Sequence, residues 1–388
     1  MTISAPTPDS LLSRTKLALT FAEEQVRQLI TKHPDYFPLF TKDGRWFHES
    51  DNWINWCDGF LGGLLWICAR STGDTWLRAQ AEHYSLLIKE RMRDETSHDL
   101  GFLFLPTWKA WYDLTGDRKA CEVVIQAGRT LAKRFNEKGR YIRSFIAPES
   151  TFVDIMMSLP LIIYAAQQSD DKALLEIGLE HCLTTRRYLI RGDGSTAHEG
   201  WFNAETGEFI KETTHQGWRP DSSWARGTAW ALYGFSLVYE LTKDERFLDV
   251  AQRCADFYML KTPESGVPPN DWEEPSPPLP FESSAAAIAA SGFLHLAKQA
   301  TAPEKAVSYG MYARKILGTL LTPEFLAIET PGWEGILKHA IYHQRHGLGV
   351  DESVMWGDYY FVLALEEITK QALAAGPDPA QALKTTYV

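Results

Sequence analysis

Two kinds of helical stretch alternate along the chain. In the first, charged positions keep to one side and aliphatic residues recur every three or four positions, the mark of a helix packed on one face. Such stretches read at Ser10–Lys32, Asp74–Arg93, Asp117–Phe135, Asp171–Leu189, Asp244–Leu260 and Pro303–Leu320. In the second kind small and aliphatic residues leave almost no polar side, as in PDSSWARGTAWALYGFSLVYEL, Pro220–Leu241. A helix apolar nearly all round is a buried one. These read at Cys57–Ser71, Gly101–Leu114, Val153–Gln168, Ser223–Leu241, Ser283–Lys298 and Glu352–Thr369.

The middle four amphipathic stretches open alike, as TGDTWLRAQ, TGDRKACEV, SDDKALLEI and TKDERFLDV, each with an Asp placed to cap the first turn. Asp221, Ser222 and Ser223 offer the same capping chemistry to the buried helix that follows them. Strict alternation of outer and inner helices at a spacing of about 40–70 residues signals a repeat architecture whose units bury one another. An open solenoid needs polar end caps, and the inner helices are too apolar for that. The pattern therefore predicts an all-α fold, a six-hairpin (α/α)6 barrel forming a single domain over residues 1–388. The first roughly nine and last roughly fifteen residues should be peripheral. Connections into the inner helices are long (136–152, 190–222, 261–282 and 321–351), whereas the reverse connections are short. Loops longer than about 12–15 residues in a compact domain usually carry function, so the site is expected at that end.

Composition narrows the class. A net charge of −11 excludes general affinity for nucleic acid. Cys57, Cys68, Cys121, Cys182 and Cys254 are odd in number and widely spaced, which indicates neither a disulfide framework nor a thiolate metal site. MTISAPTPDSLLSRTK lacks an apolar run of signal-peptide length, and no segment approaches about 18 uninterrupted apolar residues. A soluble, cytoplasmic protein with no membrane partner is expected. Phosphate-loop, dinucleotide-binding and G-x-S-x-G patterns are absent, so no cofactor is expected.

Polar residues gather just ahead of the inner helices: Trp56 and Asp58, His98 and Asp99, Asp154, His198, His215 and Gln216, Arg226 and Trp230, then Asp351 and Glu352. In a closed ring these converge on one axial funnel, toward which the N-terminal ends of the inner helices also point. Asp154 sits among Phe152, Val153, Ile155, Met156 and Met157, where an unpaired carboxylate is costly. Burial beside a second carboxylate, Asp99, would raise its pKa toward that of a working general acid. Each Asp could equally be a helix cap, and both readings stay open at this point. The chain's 14 Trp, Trp56 and Trp230 among them, suit a sugar site, although indoles also fill cores. His339, His343 and His346 invite a metal reading by spacing alone, but no H-E-x-x-H signature accompanies them and no metal is expected.

WCDGFLGGLLW, HDLGF, the Asp154 helix, RGDGSTAH, THQG, WARGTAW and DESVMWGDYYF, taken in order from about Trp56 to Tyr360, resemble the unsaturated glucuronyl hydrolases of glycoside hydrolase family 88. Related rhamnogalacturonyl hydrolases usually read W-x-R-G-N-G-W where this chain has WARGTAW, which favours the glucuronyl branch. The resemblance implies the same six-hairpin barrel, with Asp154 as general acid and base and Asp99 as its essential companion. It implies His198, Gln216, Arg226 and Trp230 around the unsaturated uronate, Trp56 stacked on the sugar and His98 beside it. Tyr342, His343 and Arg345 match a Tyr-His-x-Arg run near the leaving sugar, while Phe145 stands where members often carry a Trp. The implied substrate is a lyase-generated, glycosaminoglycan-type oligosaccharide whose terminal 4,5-unsaturated uronic acid is removed by hydration of its double bond. Other readings are an unsaturated rhamnogalacturonyl or ulvan-type uronyl hydrolase, an ordinary glycosidase of saturated sugars, a non-catalytic carbohydrate binder, or an epimerase using His198 and His215.

Overall fold

The computed structural model describes residues 8–48, 55–275 and 280–375; most of the two termini expected to be peripheral, namely 1–7 and 376–388, lies outside the described residues. The outer helices are Pro8–Lys32, Thr75–Leu87, Arg118–Ala132, Lys172–Tyr188, Glu245–Lys261 and Pro303–Leu320. Asp74, Asp117, Asp171 and Asp244 cap the middle four, each accepting backbone N–H groups of the first turn.

The inner helices alternate with them: Gly59–Thr72, then 100–115, Leu159–Ser169, Ala225–Thr242, Ser283–Gln299 and Met355–Ala375. The second is interrupted by a π turn at Leu105–Lys109, where Pro106 removes a helical donor and the ladder widens to pass it. Glycines stand where neighbouring inner helices touch, and they trace the whole ring. A Cβ at Gly59 would lie 2.2 Å from the carbonyl oxygen of Phe102, and one at Gly101 would lie 2.3 Å from Ser158 Cα. Gly234 abuts Met156, Gly292 abuts Leu232, Gly357 abuts Ser284, and Gly63 meets Tyr359 of the last helix. The first and last inner helices therefore close on each other, and the fold is the six-hairpin (α/α)6 barrel.

The long connections contain strands that helical periodicity does not reveal. Phe40–Lys42 pairs with Arg45–Phe47, Phe135–Asn136 with Tyr141–Ile142, and Ala340–His343 with Leu348–Glu352. Ser150–Phe152, Glu199–Phe202 and Phe209–Thr213 form a three-stranded antiparallel sheet. Three expectations change as a result. The last inner helix starts at Met355, because Leu348–Glu352 is a strand. Glu352 accepts from Thr41 Oγ1 and the Asp43 N–H, and Asp351 pairs with His339, so neither belongs to the funnel. The fourth inner helix starts after Trp224 without a side-chain cap, since Ser222 Oγ donates to Asp271 and Ser223 Oγ is used by the Thr196 N–H.

Candidate active site

The three-stranded sheet brings together what the sequence separates. Phe152 lies opposite Glu199, and the Val153 N–H donates to the His198 carbonyl at 2.9 Å, which sets Asp154 beside His198. Asp154 is the second residue of a 3-10 turn, Val153–Met157, whose cap position is taken by Phe152, and the one backbone N–H that favours its charged form is its own. Its Oδ2 is buried without a hydrogen-bond partner among the described residues. The capping reading therefore fails. The side chain is 15% exposed, enough to be reached from the funnel. Asp99 precedes the short helix Leu100–Phe104, likewise without a cap bond, and its side chain is 6% exposed.

Burial raises the pKa of Asp154 to about 7, against the lowering pull of the Arg226 cation. Burial raises Asp99 to about 8, with the Asp154 carboxylate as the second cause. The two groups are thus close enough to sense each other, and near neutral pH such a pair titrates as a unit. Each faces a histidine pinned in the same way. His98 Nδ1 accepts the Phe145 N–H at 3.0 Å, so its Nε2 carries the proton, 3.3 Å from Asp99 Oδ1. His198 Nδ1 accepts the N–H groups of His215 and Gln216, so its Nε2–H faces Asp154 Oδ2 at 3.7 Å. Burial, aided by His215, lowers the pKa of His198 to about 3, and burial likewise takes His98 well below its ordinary value. Both rings are neutral donors at physiological pH. The site therefore holds two carboxyl groups, each opposite a fixed imidazole N–H.

Arg226 is buried under this arrangement. Its Nη1 donates to the Ile341 carbonyl, and its Nη2 donates to Tyr342 O at 2.8 Å and to Gln216 Oε1. The guanidinium centre lies 4.4 Å from the Trp224 ring centroid and 5.2 Å from that of Trp356. With 1% exposure Arg226 acts through its field on Asp154 and through Gln216, whose oxygen it holds. With its oxygen so held, Gln216 keeps its amide nitrogen as a further donor.

Aromatic rings make the walls. Trp56 Nε1 donates to Tyr342 OH at 3.3 Å, and its ring packs 4.8 Å from Trp356 and 5.2 Å from Phe102. Trp230 lies between Phe102 and Tyr360. Phe145 stacks on His98 at 4.9 Å with an interplanar angle of 10°. His343 is buried, its ring 4.2 Å from that of His346, and burial lowers its pKa to about 3. Arg345 stands exposed at the rim and donates to the Trp218 carbonyl. Of the three spaced histidines, His339 leaves the group to pair with Asp351.

Two buried carboxylates beside the site escaped the sequence reading. Glu282 lies 3.7 Å from Arg226 and also accepts the N–H groups of Ala285 and Ile341, so it caps a helix and balances the buried cation at once. Its signal was present in FESSAAAIAA, an acidic residue at the start of an apolar helix. Glu199 resists burial through hydrogen bonds from His215, Ser150 and Thr213, which bring its pKa down to about 2. Nothing in the local pattern announces that cluster, because its members come from three strands and the loop that follows the last of them.

A family model described as Glycosyl Hydrolase Family 88 matches residues 23–260. The chain belongs to glycosyl hydrolase family 88. Over 346 residues, this family 88 chain is 32% identical to the unsaturated glucuronyl hydrolase of Bacillus sp. (strain GL1), covering 87% of this chain and 92% of that protein. Its fold is similar to the crystal structure of the Bacillus sp. GL1 unsaturated glucuronyl hydrolase, described as responsible for the degradation of glycosaminoglycan. The TM-score is 0.86 at 29% identity, over 92% of this chain and 97% of that one. It is also similar to an aspartate-to-asparagine variant of the Streptococcus agalactiae unsaturated glucuronyl hydrolase complexed with dGlcA-GalNAc6S. There the TM-score is 0.80 at 26% identity, over 96% of this chain and 97% of that one. Among the described residues no helix is long and apolar enough to cross a membrane.

Proposed function

We propose that this family 88 hydrolase removes the 4,5-unsaturated uronic acid from the non-reducing end of lyase-generated glycosaminoglycan-type oligosaccharides, with Asp154 as general acid and base. One observation carries this assignment: a buried, uncapped carboxyl group open to the funnel, with an unbonded Oδ2 and a pKa near 7. Protonated Asp154 delivers its proton to C4 of the substrate, and the C4=C5 electron pair forms the new C–H bond. Positive charge develops at C5 and is shared with the ring oxygen. Water then adds at C5 and returns a proton to the Asp154 carboxylate. The resulting hemiketal opens to a C5 ketone as the C5–O bond breaks. The hemiacetal left at C1 expels the leaving sugar and becomes an aldehyde. Protonation occurs at carbon, so the carboxylate-separation rule for retaining and inverting glycosidases does not apply.

The neighbouring groups have consistent roles in this scheme. The His198 Nε2–H stabilises the Asp154 carboxylate once its proton has gone. Asp99, held by His98, keeps one proton shared within the pair and orders the sugar hydroxyls. Gln216 presents its amide to the uronate, Trp56 and Trp230 form its apolar bed, and Tyr342, His343 and Arg345 border the leaving sugar. No step needs a metal or cofactor. The fold is read as one domain, and five buried free thiols suit a reducing cytoplasm.

The test is to offer chondroitin, hyaluronan, heparin and ulvan lyase products side by side while following the ultraviolet absorbance of the conjugated alkene. Loss of that absorbance with release of the saturated sugar is expected. Turnover of a saturated nitrophenyl glycoside, with none of the lyase products consumed, would overturn the assignment.

A further inference from the structure

Glu199 takes no part in the chemistry above, yet it is buried at the centre of the elements that carry it. It lies on the middle strand of the three-stranded sheet, in register with Phe152 on one side and Thr213 on the other. Its carboxylate accepts three side-chain donors. Ser150 Oγ donates to Oε1, while Thr213 Oγ1 and His215 Nε2, the latter at 3.1 Å, donate to Oε2. Burial pushes the pKa up, but these donors outweigh it and bring the value to about 2, so the group is anionic throughout the physiological range.

Two chains of hydrogen bonds lead outward from Glu199, and each ends at one of the imidazoles that face Asp99 and Asp154. On one side Ser150 Oγ accepts from Ser144 Oγ at 2.7 Å, and Ser144 Oγ accepts the Ile146 N–H at 3.2 Å. Ser144 and Ile146 bracket Phe145, whose own N–H is the donor that His98 Nδ1 accepts. On the other side Thr213 and His215 bracket Thr214. The N–H groups of His215 and Gln216 and the Thr214 hydroxyl, the last at 3.1 Å, all meet His198 Nδ1. The tautomer of an imidazole is set by the bond its other nitrogen makes. Both segments that make that bond are tied to one carboxylate, although they belong to different long connections. In the first chain every hydroxyl proton points toward Glu199. An amide in its place would set a donor against Ser150 or Thr213, each of which already has a proton to give.

We propose that Glu199 is a positioning residue, the shared anchor that holds His98 and His198 with their Nε2–H groups toward Asp99 and Asp154. The inference deepens the function assigned above, and only its kinetic arm rests on that reading.

The experiment compares the unaltered enzyme with Glu199→Gln, Ser150→Ala and His215→Phe. Nitrogen NMR of isotope-labelled histidines reads the tautomers, with His98→Gln and His198→Gln spectra assigning the two rings, and an unsaturated chondroitin disaccharide reads turnover. In the unaltered enzyme both rings should carry their proton on Nε2. In Glu199→Gln one or both rings should exchange between tautomers, and kcat should fall about ten- to a hundred-fold while KM changes less than about two-fold. Ser150→Ala should disturb the His98 ring alone and His215→Phe the His198 ring alone; both leave Glu199 in place, so the test survives a Glu199→Gln protein that does not fold. Rings unmoved in every variant that folds overturn the proposal, as does a loss of kcat with both rings unchanged. If the unaltered enzyme consumes no unsaturated disaccharide, the assigned function fails instead, and the ring signals still decide whether Glu199 is the anchor.

Discussion

Replacing Asp154 with Asn removes a transferable proton and an ionisable group while breaking no cap and no side-chain hydrogen bond at Oδ2. Two effects of opposite sense follow. Turnover should drop about a thousand-fold or more, because an amide can neither protonate C4 nor take a proton from water. Stability should rise, and the amount comes from the pKa. Burial lifts Asp154 from 3.8 to about 7, so in the folded protein ionisation is disfavoured relative to the unfolded chain. A carboxyl group raised in this way destabilises the fold progressively as pH climbs above the unfolded value, and the penalty is complete above the folded one. At about 1.4 kcal/mol per unit, the full penalty reaches about 4 kcal/mol, which Asn does not incur. The Asp154→Asn protein should therefore unfold at higher urea than the unaltered protein at pH 8, and the gap should close near pH 4. Alkene absorbance reports the first effect and urea titrations at the two pH values report the second. Retained turnover would refute the role in catalysis. A variant less stable at pH 8 would refute the claim that the fold holds this carboxyl at its own expense.

Three further outcomes follow from the same geometry. Asp99→Asn leaves in place the burial that raises Asp154, and Asp99, lifted to about 8, is neutral while Asp154 titrates, so the alkaline fall of the residual kcat/KM should stay where it is; a shift of about one pH unit would mean that Asp99 is charged while Asp154 titrates. Glu282→Gln strips the counter-charge from buried Arg226, which should cost about 3–5 kcal/mol in urea unfolding and, by strengthening the field on Asp154, move the same limb to lower pH. Gly101→Ala drives a methyl group into the Ser158 backbone where two inner helices meet, and should destabilise by about 3 kcal/mol or more in thermal or urea unfolding; a change below about 0.5 kcal/mol would mean that the ring yields there.

The unsaturated uronyl chemistry places strict demands on the walls of the funnel. A cation developing at C5 needs a dry, electron-rich surround and a nearby carboxylate that regains its proton. In the proposed mechanism Trp56, Phe102 and Trp230 would supply the first, and Asp154 the second. The neutral histidines matter for the same reason. An imidazolium at residue 198 would pull the Asp154 pKa down and leave too little of the acid form at neutral pH, whereas a neutral N–H can stabilise the carboxylate without abolishing the acid.

The alternation of outer and inner helices was legible from residue order alone, because helical packing writes its period into every turn. The four capping aspartates stood out for the same reason, since a cap is settled within three residues. Asp154 could be singled out from its apolar neighbours, though not freed from the capping reading, because only coordinates show which donors a carboxylate meets. The strands in the long connections, and with them the meeting of Asp154 and His198, were hidden: short two-sided strands lack a readable period, and their register depends on partners about 50 residues away. The partner of Arg226 was likewise decided only in three dimensions. Local order thus settled which segments are helices and which faces they bury. Charge balance and proton affinity were settled by tertiary structure, because electrostatic interactions act through space and answer to burial, which no stretch of sequence fixes by itself.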